Sequence, residues 1–403
     1  MTSKNYNLFM PRNPKINPKP ERVSEVRNRL KERRLAVDIS QTELAGRVAI
    51  TRQALYAMEM NQYLPGTELA LRLASNLGCA VEDLFSFESE SDIIEAEFIG
   101  SGKESQNVSR VKVACVGDRV LTKPVSDLGG VLNYTVPADG IQLGRVSSTS
   151  GATPRSDRVY VRLLTSQHDI ERQVVVAGCD PSIFLAGEHI RRHGGDASIL
   201  GWGMGSLAAL QALKRGEVHV AGIHVVDHRS GDFNRPFLKK YLKGHAVTVV
   251  RFAAWEEGVL LRRGNPKGVQ GIEDLARPDV RLVNREQGAG ARLLLDHLLT
   301  KSGISSRQVR GYEALCPSQL ELGRAIVEGR ADMGIGAYAV GHFYDLDFIP
   351  LQEERYDLVI PSKYLHSHPG MQMFLDTLVT RGFRQEIEAL GGYDTKETGK
   401  IIE

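Results

Sequence analysis

At 403 residues, 42% of them hydrophobic and 25% charged, the chain is long enough for two or three domains with real cores and has the composition of a soluble globular protein. A formal net charge of +2 excludes binding to nucleic acid through overall charge, and no apolar run is long enough to span a membrane. Four scattered cysteines, Cys79, Cys115, Cys179 and Cys316, lack Cys-x-x-Cys spacing and indicate neither a zinc site nor a disulfide framework.

The chain opens with a polar, proline-rich stretch that does not read as a secretory signal, so a cytoplasmic protein is expected. Residues 1–20 carry Lys4, Arg12, Lys15 and Lys19 and no acid, which predicts a flexible basic arm; it reads equally as an aid to phosphate contacts and as a solubilising tail. A helix is predicted from Ser24 to Ala36, with Val26, Leu30 and Leu35 inward. Leu44, Ala45 and Val48 then share a face of a short helix, Ala49-Ile50 make a tight turn, and a second helix opens at Thr51 with Ala54, Leu55 and Met58 at helical spacing. Two amphipathic helices joined so closely must cross steeply and present the polar face of the second outward, as a helix-turn-helix does in a major groove. A fourth helix spans Thr67 to Leu77 and stops at Gly78, with Val81, Leu84 and Phe85 closing a small core. Ser86 to Asp92 reads as an acidic linker, and residues 21–88 as one helical domain.

The spacing of Gln41, Glu43-Leu44-Ala45, Ile50-Thr51, Glu59, Leu64-Pro65 and Glu82-Asp83-Leu84-Phe85 resembles the Cro/repressor (XRE) class of helix-turn-helix regulators. The turn departs from that class at Ala49, where glycine is usual, and alanine fits only if its φ stays negative. The resemblance implies binding to double-stranded operator DNA as a homodimer, with half-sites about one helical turn (~34 Å) apart. It assigns a phosphate contact to Gln41, while Thr51, Arg52, Gln53 and Tyr56, at the start and outer face of the second helix, and Asn61 beyond it, are the candidate DNA contacts. Arg52 and Gln53 have the side chains suited to reading base edges.

Residues 89–170 form a β-rich connecting segment: the runs starting at Arg110, Val131 and Arg158 are strand-like and separated by turn signals, and Ser147 to Asp157 reads as an exposed loop. From 171 to 403 strands and helices alternate, which predicts parallel sheets covered by helices, with ligands outside the carboxyl ends of the strands. Expected strands include separate runs at VTVVRFA, GVLLRR and VRLVN. Small residues and helix starts coincide at Cys179 to Ser182, Gly203 to Ser206, Asn284 to Arg292 and Gly334 to Tyr338. Converging helix N-termini of this kind make an anion site.

The order CDPS, GS, GEVHVAGIH, NREQGAGAR, GRADMGIG and YDLVIP resembles a type II periplasmic-binding-protein-like domain of the kind found beside helix-turn-helix modules and molybdenum-cofactor proteins. The resemblance implies an α/β two-lobed fold closing on a ligand. The fold class expected is therefore multidomain: an all-α N-terminal domain, a β-rich connector and this α/β domain. The ligand candidates are Ser182, Gly205, Ser206, His224, Arg285, Gly288, Ala289, Gly290, Arg292 and Tyr338. Family relatives suggest a small anionic effector, molybdate or tungstate. The two arginines fit a carboxylate or phosphate better, or else surface ion pairs with Glu286 and Asp296. Trp202 reads more readily as core than as cleft, and His189 with His193 as a surface face, since Ile190 stands where a zinc protease needs glutamate. No cofactor, metal, membrane partner or catalytic constellation is indicated. The function expected is a ligand-responsive transcriptional regulator; the alternatives are a molybdenum-cofactor enzyme or chaperone with an appended DNA-binding module, and a constitutive scaffold whose cleft is filled by its own side chains.

Overall fold

A computed structural model describes residues 26–87, 93–100, 109–128, 135–146 and 158–402, in two units that meet at Ile93/Ile94. The basic arm and the 147–157 loop lie outside the described residues.

In the first unit, β1 (Val26–Asn28) leads to α1 (Leu30–Ala36), α2 (Gln41–Arg47), α3 (Arg52–Glu59), α4 (Thr67–Leu77), α5 (Val81–Leu84) and β2 (Phe85–Phe87). The expected Ser24–Ala36 helix is thus split. Its first half pairs antiparallel with β2, Val26 facing Phe87, and Leu35 points outward at 58% exposure. Asn28 marks the break: its carboxamide oxygen accepts from Leu30 N and its nitrogen donates to Met58 O, local bonding that competes with a continuous helix. Leu30, Leu44, Val48, Leu55, Met58, Leu73 and Leu84 form one core, and α4 ends on Gly78 in the left-handed conformation.

Ala49 does not keep a negative φ: it lies at +59°. A non-glycine residue there carries about 1–2 kcal/mol of steric cost, partly offset by the extra chain entropy glycine loses on folding. Ala49→Gly is therefore expected to stabilise this unit by about 0.5–1 kcal/mol. A raised helical melting temperature in circular dichroism checks it, and an unchanged or lowered one contradicts it.

In the second unit, β3 (Ile93–Phe98), β4 (Ser109–Val116), β5 (Arg119–Pro124), β6 (Gly140–Arg145) and β7 (Arg158–Leu163) close into a barrel in the order β3-β5-β4-β6-β7. Val111, Val113, Val159 and Val161 fill it. Ala114, Val116 and Leu121 instead join the core of the α/β part, and Arg119 donates to the carbonyls of Arg215 and Gly216. The β-rich connector is thus a barrel built onto the domain that follows.

The α/β part is organised by one sheet. β8 (Gln173–Gly178), β9 (Ser198–Gly203) and β10 (Val220–Ile223) are mutually parallel. The small hairpin β11 (Val226–Asp227) and β12 (Asp232–Phe233) precedes the long β13 (Val247–Leu261), and β14 (Asn284–Arg285) pairs with β15 (Leu315–Cys316). β16 (Met333–Ala337), the long β17 (Asp347–Pro361) and β18 (Tyr393–Asp394) complete the set, in the sheet order β16-β13-β17-β10-β8-β9 with β18 on β13. The expectation of parallel sheets fails for most of it, because β10/β17, β17/β13, β13/β16 and β13/β18 are antiparallel. The two runs expected as separate strands are one, since Ala253 to Glu257 continues the pairing between them. VRLVN contributes only β14, with Leu282 in an isolated bridge.

β13 and β17 each span 15 residues and cross between two lobes. One lobe is cored by residues such as Val175, Ile183, Leu210, Phe252, Phe374 and Phe383, the other by Val259, Leu282, Leu295, Met333 and, separately, Leu322 and Ile326. The pairing is irregular between Arg251/Ala253 and again between Glu257/Gly258, where the crossing is made. Irregularities of that kind bend a strand and re-aim its side chains.

Candidate DNA interface and effector cleft

Both helices of the helix-turn-helix start on side-chain caps: Ser40 accepts from Glu43 N and Thr51 from Ala54 N. The end of α3 is fixed by Glu59, whose side chain is 1% exposed. It accepts Arg34 Nε at 2.6 Å and Gln41 Nε2 at 2.7 Å, while Arg34 Nη1 also donates to Ile39 O. One carboxylate thus ties α1, α2 and α3 together. This gives the amide of Gln41, expected on a phosphate, an internal partner. Asn61, at φ +60°, likewise accepts from Asn28 through its side chain. Asn61 is nonetheless exposed, and Gln41 half-buried. Arg52, Gln53 and Tyr56 are exposed along α3, and Arg52 and Gln53 have no hydrogen bond or ion pair among the described residues.

The second unit holds a cleft of about 240 Å³ between the two lobes, not filled by its own side chains. Cys179, Asp180, Pro181, Ser182 and Leu185, with Trp255, Leu390 and Tyr393, line one side; Gln319, Leu320, Ala337, Ala339, Val340 and Phe343 line the other. Asp180 follows β8 and caps the turn after it, accepting from Ser182 N at 2.8 Å and from Tyr393 OH at 2.9 Å. Ser182 is buried and its Oγ makes no hydrogen bond among the described residues. Trp255 on β13 donates to Glu257 at 2.9 Å and stands opposite Glu354 of β17. Glu257 and Glu354 are fully buried; one carboxyl oxygen of each makes no hydrogen bond among the described residues, and that of Glu354 faces His224. His224, just past β10, lies edge-on to Trp255, its Nδ1 3.6 Å from Glu354.

Burial pushes the carboxyl of Asp180 up in pKa, against the hydrogen bonds from Ser182 and Tyr393. Burial also raises Glu257, which the positive His224 opposes and the nearby Glu354 reinforces. For His224, burial disfavours the charged form but Cys179 and Glu354 outweigh it and hold the imidazole well above its usual value.

The sequence candidates separate into two groups. Ser182 lines the cleft and His224 borders it. The others do not. Ser206 is committed to the backbone of His224, donating to its carbonyl and accepting from its N–H. Gly205, Gly288, Ala289 and Gly290 serve a close approach of two helix starts, with Leu207 N donating to Gly288 O. A Cβ on Gly290 would lie 2.3 Å from the carbonyl of His224, and one on Gly205 would lie 2.8 Å from Glu286. Arg285 pairs with Glu286 at 2.9 Å, and Arg292 with Asp296 at 3.0 Å while covering the ring of Tyr312. Tyr338 packs on Phe348, outside the lining formed by its neighbours Ala337 and Ala339. Trp202 is core, under Lys123. His189, expected on a surface, is buried beside Phe383 and 2.5 Å from Glu386. Asp180 falls within the expected junction from Cys179 to Ser182 without being singled out, and Trp255, Glu257, Gln319, Glu354 and Tyr393 were not legible from the sequence. The one available signal was a pair of acids, Glu256-Glu257, inside an otherwise apolar strand.

Comparison with known proteins matches residues 30–84 to the helix-turn-helix family and residues 187–379 to the PBP superfamily domain. The chain is 31% identical over 237 residues to the uncharacterized protein YvgK of Bacillus subtilis (strain 168), covering 59% of this chain and 76% of that one. It is 35% identical over 65 residues to an uncharacterized HTH-type transcriptional regulator of Archaeoglobus fulgidus, 16% of this chain and 92% of that one. Among solved structures, an ABC-type phosphate transport receptor from Vibrio cholerae aligns at 13% identity and a TM-score of 0.37, over 54% of this chain and 98% of that one. The chain belongs to the Cro/repressor-type (XRE) helix-turn-helix regulators and carries a periplasmic-binding-protein-like domain behind its DNA-binding module.

Proposed function

We propose that the protein is a cytoplasmic, ligand-responsive transcriptional regulator that binds operator DNA as a homodimer. A small effector seated between the lobes of its second unit changes its affinity for that DNA. The observation that carries this reading is the cleft itself: open, largely apolar, and bordered by buried polar atoms left without partners. Such atoms are costly unless something completes them. A ligand that closes two lobes has different affinities for the open and closed states, which is what coupling to a second site requires. On the DNA side, support comes from the capped α3 with Arg52, Gln53 and Tyr56 exposed on it.

For the effector, the resemblance to domains found beside molybdenum-cofactor proteins suggests an oxyanion such as molybdate or tungstate. The internal pairing of Arg285 and Arg292 and the commitment of Ser206 weigh against it. Selection of binding sites from random-sequence DNA with the full chain tests the DNA-reading half. A recurring motif with two related halves spaced by about one helical turn is expected, and recovery of unrelated sequences would sink the assignment.

A further inference from the structure

Resting on the reading of this cleft as an effector site, we propose that its effector is an organic cation: an apolar body carrying a protonated amine, seated with the amine at Asp180 and Ser182 and the body against Trp255, Leu320, Val340 and Phe343. The argument begins with charge. Three carboxyl groups, those of Asp180, Glu257 and Glu354, are buried at or directly beneath the cleft wall. One basic group, His224, approaches them, and it lies beside Glu354. Arg285 and Arg292, the arginines expected at the ligand, are spent on Glu286 and Asp296. The wall is therefore short of positive charge, and a buried carboxylate without a counter-charge is unstable. Burial answers this by raising Asp180 and Glu257, which favours their neutral forms. A bound ammonium would answer it differently, by pairing with an ionised Asp180.

Hydrogen-bonding capacity points the same way. Asp180 is an acceptor, and behind the lining Trp255 and Gln319 stands Glu257, one carboxyl oxygen of which accepts from Trp255. Ser182 both donates and accepts, and the hydroxyl of Tyr393 already donates to Asp180. Besides the helix start at Ala337 to Val340, the donors of this wall are few: the Ser182 N–H and the Tyr393 hydroxyl are already given to Asp180, which leaves the Ser182 hydroxyl. An ammonium needs acceptors, and the Asp180 carboxyl supplies them. The remaining lining is aliphatic and aromatic, so most of the ligand's surface must be apolar.

The test is a calorimetric titration of the full chain with three probes: phenethylamine, hydrocinnamate and molybdate. The first two share a phenyl body and differ in the sign of the head group; the third has no body. Phenethylamine is expected to bind at least about tenfold more tightly than hydrocinnamate, with no heat from molybdate. Asp180→Asn keeps an acceptor for the Ser182 N–H and so preserves the turn, and it is expected to erase the preference without lowering the melting temperature. A preference for hydrocinnamate or molybdate overturns the proposal while leaving the cleft as an effector site. Absence of heat from phenethylamine overturns it as well, as does an amine preference that survives Asp180→Asn. The regulatory reading fails separately, when a probe that binds leaves operator affinity unchanged.

Discussion

Replacing Glu59 with alanine is expected to cost the N-terminal unit about 3–5 kcal/mol. The substitution strands the guanidinium of Arg34, whose side chain is 7% exposed, without its counter-charge, and takes the acceptor from Gln41. Removing one partner of a buried pair is far more destabilising than its net contribution suggests, because the other charge stays desolvated. A domain of about sixty residues has little reserve, near the lower end of the roughly 5–15 kcal/mol typical of folded proteins. The unit is therefore expected to populate unfolded states visibly, and hydrogen exchange across α1, α2 and α3 should lose most of its protection. Glu59→Gln, which keeps an acceptor of the same shape, is expected to lose clearly less. A Glu59→Ala protein with native protection in α3 would show that Arg34 reaches water freely and that Glu59 is not the tie between the helices.

The double substitution Arg52→Ala, Gln53→Ala is expected to abolish specific operator binding, a loss of about a hundredfold or more. Each side chain that reads a base edge contributes about 1–3 kcal/mol of discrimination. Both residues are exposed and neither supports a neighbour, so α3 keeps its Thr51 cap and its buried Leu55 and Met58. Alanine is also the better helix former. Electrophoretic shifts with the selected operator, beside an unchanged circular dichroism spectrum, check both halves of the statement. Binding retained within a few-fold would move base reading elsewhere on the unit.

The helix-turn-helix was legible because its information is local. Caps at Ser40 and Thr51, the apolar spacing of Leu44, Val48, Leu55 and Met58, and the stop at Gly78 all sit within a few residues of what they control. The break at Asn28 was not, since the strand it leaves depends on Phe85–Phe87, nearly sixty residues away. The cleft was legible only in outline. Strand-to-helix junctions marked Ser182 and Ala337 correctly as lining, yet the same signal at Gly205 and Gly290 proved to be two helix starts held together. Small residues are demanded equally by a ligand and by a neighbouring backbone, so composition does not separate the two. Glu257 and Glu354 were hidden for a different reason. They come together only because β13 and β17 pair antiparallel over their full length, a register no local pattern encodes.

The most direct test of the regulatory account is a fluorescence anisotropy titration of labelled operator DNA with the full chain, with and without a ligand that occupies the cleft at saturation. A coupled regulator is expected to shift its operator dissociation constant by about five- to a hundredfold, in either direction. Superimposable curves at full cleft occupancy would contradict ligand control of DNA binding.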